Sequence, residues 1–233
     1  MRSNRAIVFD LDDTLYPYRA FVRSGFRAVA CRLAAERGIQ PSAVLRVLRR
    51  AMAAGPRGQE LQALFARFDL PASMIASLVD VIREHTPALR LPCESAEVLR
   101  TLRPQWRVGV LTNGEPRIQQ RKIAALGIAD LVDAVVLATE CGDGIGKPSP
   151  AAFHAALDRL KATPASSVFV GDDARVDIEG AAAVGMKTIH MMSYFGEDER
   201  CAAPGCRIHV NRLALVPAIA EQLVPVRIHS HVA

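Results

Sequence analysis

Short apolar runs recur at residues 6–9, 108–111, 134–138, 167–170 and 187–192, and they constrain the fold more than any other feature of the chain. Each is too short for a helix of its own and too apolar for a surface, so each reads as a strand buried on both faces. Between them the spacing becomes helical. Residues 117–126 stop at Gly127, residues 150–160 open on Pro150, and residues 177–184 stop at Gly185, which are the ends that helices favour. Strands alternating with helices predict an α/β fold with a parallel sheet.

Residues 18–92 break this rhythm. They carry helical patterns at 21–37 before Gly38, 42–54 before Gly55, 59–68, and 72–84 between Pro71 and Pro87, with no strand among them. An all-helical insert after the first strand is expected. The chain has 233 residues, half of them hydrophobic, enough for one substantial core and such an insert. No internal repeat is visible, and residues 224–233 read as a tail.

Composition excludes several classes. No run of about 18 apolar residues exists to span a bilayer, and the first strand follows the N-terminus directly, so a cytoplasmic protein without membrane contact is expected. Five scattered cysteines suit reduced thiols, and Cys201 and Cys206 lack a second pair that would make a zinc site. The excess of 29 basic over 24 acidic residues comes from the insert, which has twelve Arg, no Lys and five acids, while the rest of the chain is close to balanced. We read this as solvated helix faces, with no nucleic-acid partner.

The chemistry collects where these strands end. Asp10-Leu11-Asp12-Asp13-Thr14-Leu15 follows the first run; alone, it could be a helix cap or a calcium loop. Farther on, Val110-Leu111-Thr112-Asn113-Gly114 ends a second strand with a hydroxyl and an amide. Gly146-Lys147-Pro148 puts a lysine in a loop, and Val170-Gly171-Asp172-Asp173 ends another strand in two acids. An open α/β sheet gathers its ligands at such carboxyl ends.

In this order the four elements resemble the motif set of the haloacid-dehalogenase-like hydrolases, over residues 6–192, with Asp177, Gly180-Ala181 and Gly185-Met186 following as in that family. The resemblance implies a Rossmann-like three-layer core, from residues 1–17 and 93–233, carrying a helical cap of residues 18–92. It implies a Mg²⁺-dependent phosphomonoesterase that forms an aspartyl-phosphate. A phosphomonoester is doubly negative and repels a nucleophile, so a hard cation and a lysine must offset charge before a carboxylate attacks. On the family pattern Asp10 is nucleophile and metal ligand. Asp12 ligates through its carbonyl and is the acid and base, and Asp172 is a further ligand. Thr112, Asn113, Gly114 and Lys147 hold the phosphoryl group, and Thr14 steadies the loop and the substrate. Asp173 and Asp177 are either outer acids that position ligands or caps of the following helix. An acid at Asp12 favours phosphoryl transfer, because dehalogenating relatives lack one there.

The expected partner is a small-molecule phosphomonoester; the oligomeric state stays open. Tyr16-Pro17 resembles pyrimidine-nucleotidase-like members. The stretch Thr112-Asn113-Gly114, with Gln119-Gln120-Arg121-Lys122 and Leu126-Gly127, resembles nucleoside-monophosphate and N-acylneuraminate-9-phosphate phosphatases. A nucleoside 5′-monophosphate is therefore expected ahead of phosphoglycolate, with Arg23 and Arg27 able to meet a second anion. A phosphosugar mutase or sugar phosphatase shares the same core. A phospho-Asp receiver switch is disfavoured by the long insert.

Overall fold

The computed structural model describes residues 4–55, 58–192 and 208–225. Two units emerge, Met1–Pro17 with Arg90–Ala233, and Tyr18–Leu89. In the first, β1 (Ala6–Phe9), β2 (Arg107–Thr112), β3 (Ala134–Leu137), β4 (Ser167–Gly171), β5 (Lys187–Met191) and β6 (His209–Val210) make one sheet in the order β3-β2-β1-β4-β5-β6. Every adjacent pair is parallel. The chain runs outward from β1 to β3 and then crosses to β4 on the other side of β1. Phe9 lies opposite both Val110 and Val170, so β1, β2 and β4 end side by side at this switch of direction.

Side chains of a strand alternate between faces. Ala6 and Val8 join Leu111, Val136 and Phe169 in a core cluster with Phe153, Ala156 and Leu157 of a helix, Pro150–Arg159. Phe153 meets Phe169 edge-on at 5.3 Å, an arrangement the ring quadrupoles favour. Two further helices, Cys93–Leu102 and Val216–Leu223, contact each other. The latter is tied to the base of β1: Glu221 accepts from Arg5 Nη1 at 2.6 Å and from Trp106 Nε1 at 2.7 Å, while the Arg5 guanidinium lies 4.4 Å from the Trp106 ring centre.

The second unit is helical throughout. We number its helices α1 (Tyr18–Arg37), α2 (Pro41–Ala54), α3 (Glu60–Phe68) and α4 (Ile75–Glu84); those of the first unit continue as α5 (Cys93–Leu102), α6 (Pro116–Leu126), α7 (Pro150–Arg159), α8 (Gly180–Ala183) and α9 (Val216–Leu223). Phe26, Val29 and Leu33 of α1 pack with Val44, Leu48 and Met52 of α2, Leu64 of α3 and Leu78 of α4. The spacing of three and four residues puts each set on one face. Arg23 and Arg27 lie exposed on α1.

Differences from expectation are local. Helix α5, α9 and the two-residue β6 have no counterpart among the expected elements, and the helix expected from residue 177 begins instead with a π-helical segment, Ala174–Glu179, that runs into α8. Cys31, Cys93 and Cys141 are free thiols. Cys201, Cys206 and most of the expected tail lie outside the described residues. Among those described, no helix is long and apolar enough to cross a membrane.

Candidate active site

Asp10 stands one residue beyond β1, its amide donating to the Val170 carbonyl of β4 at 2.9 Å. The chain then turns tightly: Asp13 N donates to Tyr16 O at 2.8 Å and Leu15 N to Leu11 O at 3.1 Å. Asp13 takes a φ of 57°, a left-handed conformation that aspartate tolerates better than most residues. The turn folds Tyr16 back on the loop, so that its hydroxyl donates to Asp12 Oδ1 at 2.5 Å.

Lys147 arrives from a loop and is set in place through its backbone. Asn113, just past β2, accepts from Lys147 N with Oδ1 and donates to Lys147 O with Nδ2, both at 2.8 Å. Gly146, at a φ of 81°, makes this clasp feasible, since a Cβ there would lie 2.8 Å from Asn113 Oδ1. The buried Lys147 ammonium then donates to Asp10 Oδ1 at 2.5 Å and to Asp177 Oδ1 at 2.6 Å.

Asp177 reaches this position from the π-helical segment because residue 171 has no side chain. A Cβ on Gly171 would collide with the Asp177 carboxylate. Asp173 serves the backbone instead, its carboxylate accepting from Arg175 N and Val176 N at 2.9 and 2.8 Å and so capping that segment. Asp173 thus caps the segment, while Asp177 lies in the carboxylate cluster and also accepts from Asp173 N with Oδ2 at 3.2 Å. Asp172 Oδ1 accepts from the fully buried Thr14 hydroxyl at 3.3 Å.

Negative charge exceeds positive here. Asp10, Asp172 and Asp177 each offer a carboxylate oxygen, and these three oxygens lie within 4.8 Å of one another. Burial raises the Asp10 carboxyl well above its usual range, with Asp177 and Asp172 adding to the rise against the pull of Lys147. Burial, then Asp177 and Asp13, push Asp172 up to about 7, with Lys147 and Thr14 opposing. Burial alone would lower Lys147, but Asp10 and Asp177 outweigh it and hold the ammonium charged. Oxygen donors at this spacing fit a small hard cation, whose opposite ligands stand about 4 Å apart, and a cation would relieve the repulsion among the acids.

Two residues without an assigned chemical role complete the site. Both come from α6, one turn apart and buried: Gln119 and Lys122. Lys122 Nζ donates to Asp12 Oδ2 at 2.7 Å and Oδ1 at 3.0 Å. Gln119 Nε2 lies 2.6 Å from Thr112 Oγ1, 2.5 Å from Asn113 O and 3.2 Å from Asp12 Oδ2. Thr112 is thus linked to Asp12 through an amide. Gly114 is exposed, and its carbonyl accepts from Thr139 at 2.8 Å. A sequence signal for the α6 pair exists, a polar Gln and Lys at i and i+3, a few residues after Thr-Asn-Gly, on the helix face that ought to be apolar.

The arrangement sets a buried carboxylate beside an ammonium, gathers three carboxylate oxygens, and holds a further carboxylate, Asp12, in a separate hydrogen-bonded setting. The sequence model of the haloacid dehalogenase-like hydrolases matches residues 4–185. The chain is 31% identical over 201 residues to the ribulose-1,5-bisphosphate 5-phosphatase of Halopiger xanaduensis, covering 79% of this chain and 83% of that one. It is 29% identical over 197 residues to the glyceraldehyde 3-phosphate phosphatase of Methanopyrus kandleri, covering 80% and 83%. Its fold is similar to the crystal structure of a putative β-phosphoglucomutase from Thermotoga maritima, with a TM-score of 0.67 at 18% identity, over 94% of this chain and 99% of that one.

Proposed function

The chain belongs to the haloacid dehalogenase-like hydrolase family, and from that premise we propose that it hydrolyses a small phosphomonoester through an aspartyl-phosphate on Asp10. The observation that carries this reading is the buried Asp10–Lys147–Asp177 array with Asp172 beside it. Asp10 is the nucleophile: its carboxylate attacks phosphorus, the bond to the leaving oxygen breaks, and Asp12 supplies the proton that oxygen needs. Water then attacks phosphorus, the electron pair returns to Asp10, and Asp12 takes the proton. Lys147, Thr112 and the backbone at Asn113 and Gly114 hold the phosphoryl oxygens, and Asp177 keeps the Lys147 ammonium aimed at them.

Asp10, Asp172 and the Asp12 carbonyl would hold Mg²⁺, with Asp177 anchoring the outer side of the group. When bound, the ion supplies charge neutralisation at the phosphoryl oxygens. The donor set contains only oxygen atoms, as Mg²⁺ prefers.

Two substrate classes follow from different observations. The Tyr16-Pro17 and Thr112-Asn113-Gly114 neighbourhoods support a nucleoside 5′-monophosphate. The named activities of the relatives, on ribulose-1,5-bisphosphate and glyceraldehyde 3-phosphate, support a sugar phosphate. The relatives match along most of the chain and the local cues do not, so sugar phosphates are the first reading. Phosphate release across sugar phosphates, nucleotides and phosphoglycolate, with Mg²⁺ and with chelator, tests it. We expect metal-dependent turnover, with a sugar phosphate ahead of every nucleotide by about tenfold in kcat/KM, or about 1.4 kcal/mol. Turnover untouched by chelator would overturn the metal assignment. A nucleotide ahead by the same margin would restore the nucleotidase reading.

A further inference from the structure

Asp12 is held by an unusual number of donors for a carboxylate that must move protons. Its side chain keeps 26% exposure, while Lys122 beside it keeps only 4%. Tyr16 and Lys122 reach Oδ1, and Lys122 and Gln119 reach Oδ2. Burying an ammonium costs free energy unless it is paired, and here Asp12 is its ion-pair partner. Gln119 shows a second sign of the same design. Its Nε2 faces three acceptors, while its buried Oε1 accepts no hydrogen bond from the described residues. A buried carbonyl without a donor costs free energy, and such exceptions collect at functional sites.

We propose that Lys122, with Gln119 and Tyr16, is a positioning residue that fixes the Asp12 carboxylate as the acceptor of the proton released when water attacks the phosphorylated Asp10. This rests on the phosphatase reading above and deepens it. In that step the water oxygen bonds to phosphorus, the bond from phosphorus to Asp10 breaks with its electron pair returning to the carboxylate, and the water proton passes to Asp12. The same proton leaves with the next alkoxide. The three donors fix the orientation of the carboxylate, and its 26% exposure leaves it within reach of a water. Lys122 acts through Asp12.

The experiment compares wild type, Lys122→Met and Tyr16→Phe on p-nitrophenyl phosphate, whose leaving group needs little protonation. Steady-state and rapid-mixing measurements are combined with unfolding midpoints. With Lys122→Met we expect kcat to fall about 10²-fold, as for loss of effective general base catalysis, after a burst of p-nitrophenolate approaching one equivalent per site. The burst reports that Asp10 is still phosphorylated while release is slowed. If Lys122→Met does not fold, Tyr16→Phe, which removes one hydroxyl from the same carboxylate, decides the matter with a smaller loss and the same burst. A kcat within about threefold of wild type, or a loss without a burst, overturns the positioning role. Wild type that releases no phosphate from any ester overturns the phosphatase reading itself, a separate outcome.

Discussion

At Asp10 the chain gathers three carboxylates, two of them paired to one ammonium, and the consequences can be measured on single residues. Asp172, pushed up to about 7, holds its proton in the metal-free folded protein at pH values where the unfolded chain has lost it, above about 4. The folded state therefore binds more protons across that window, and this contribution to stability falls as pH rises from about 4 to about 7. A cation needs the ionised carboxylate and displaces the proton. Thermal unfolding in chelator and in excess Mg²⁺ should show a larger stabilisation by Mg²⁺ at about pH 8 than at about pH 5.5. Equal shifts at both pH values would place the cation away from Asp172. Asp10, Asp12, Lys147 and Asp172 can be named from sequence because each ends a strand or sits in a loop of fixed order. Asp177 cannot be assigned between two roles from sequence, since the missing Cβ of Gly171 and the π-helical start decide which way it faces. Lys122 shares its helix face with the apolar Ile123 and Leu126, so periodicity places it inward but gives it no role, whereas the structure shows it buried against a carboxylate.

At the scale of elements, the strands are legible because a strand buried on both faces is mostly apolar, with polar residues such as Arg107 and Lys187 at its ends. Residues 6–9 are β1 as read, and β2 to β5 differ from their runs by a residue or so at the ends. Helix α5 carries a readable pattern, with Ser95, Val98, Leu99 and Leu102 buried at helical spacing behind Pro92, but it is short and sits between the end of the insert and the next strand, where a connection is the simpler expectation. Strand β6 leaves no signal, since it pairs with β5 through only two residues. The helices of the second unit depend on their shared face. Leu48 is fully buried at the centre of α2, between Val44 and Met52. Leu48→Ala should cost about 2–5 kcal/mol, the transfer loss plus the cavity left behind. Denaturant unfolding measures it, and a loss below about 1 kcal/mol would mean that the packing of this unit is not what holds α2.

Over the whole molecule, the chain leaves the sheet after the first acidic turn, builds a separate helical unit at Tyr18–Leu89, and returns at Arg90 to finish the sheet. The residues that the proposed mechanism uses come from widely separated positions, Asp10, Thr112, Lys147 and Asp172, because parallel strands can meet at one edge only through long crossovers. The alternation of strands and helices therefore foretells where the site lies, whereas substrate preference has only local cues to rest on. In the proposed reaction the carboxylate of Asp10 takes the phosphoryl group. Asp10→Asn keeps the shape of that side chain and removes its ability to form the acyl-phosphate, so phosphate release from the best substrate, with the unfolding midpoint checked alongside, tests it directly. A folded variant whose kcat falls by about 10³-fold or more is the predicted result, and a folded variant within about tenfold of wild type would contradict it.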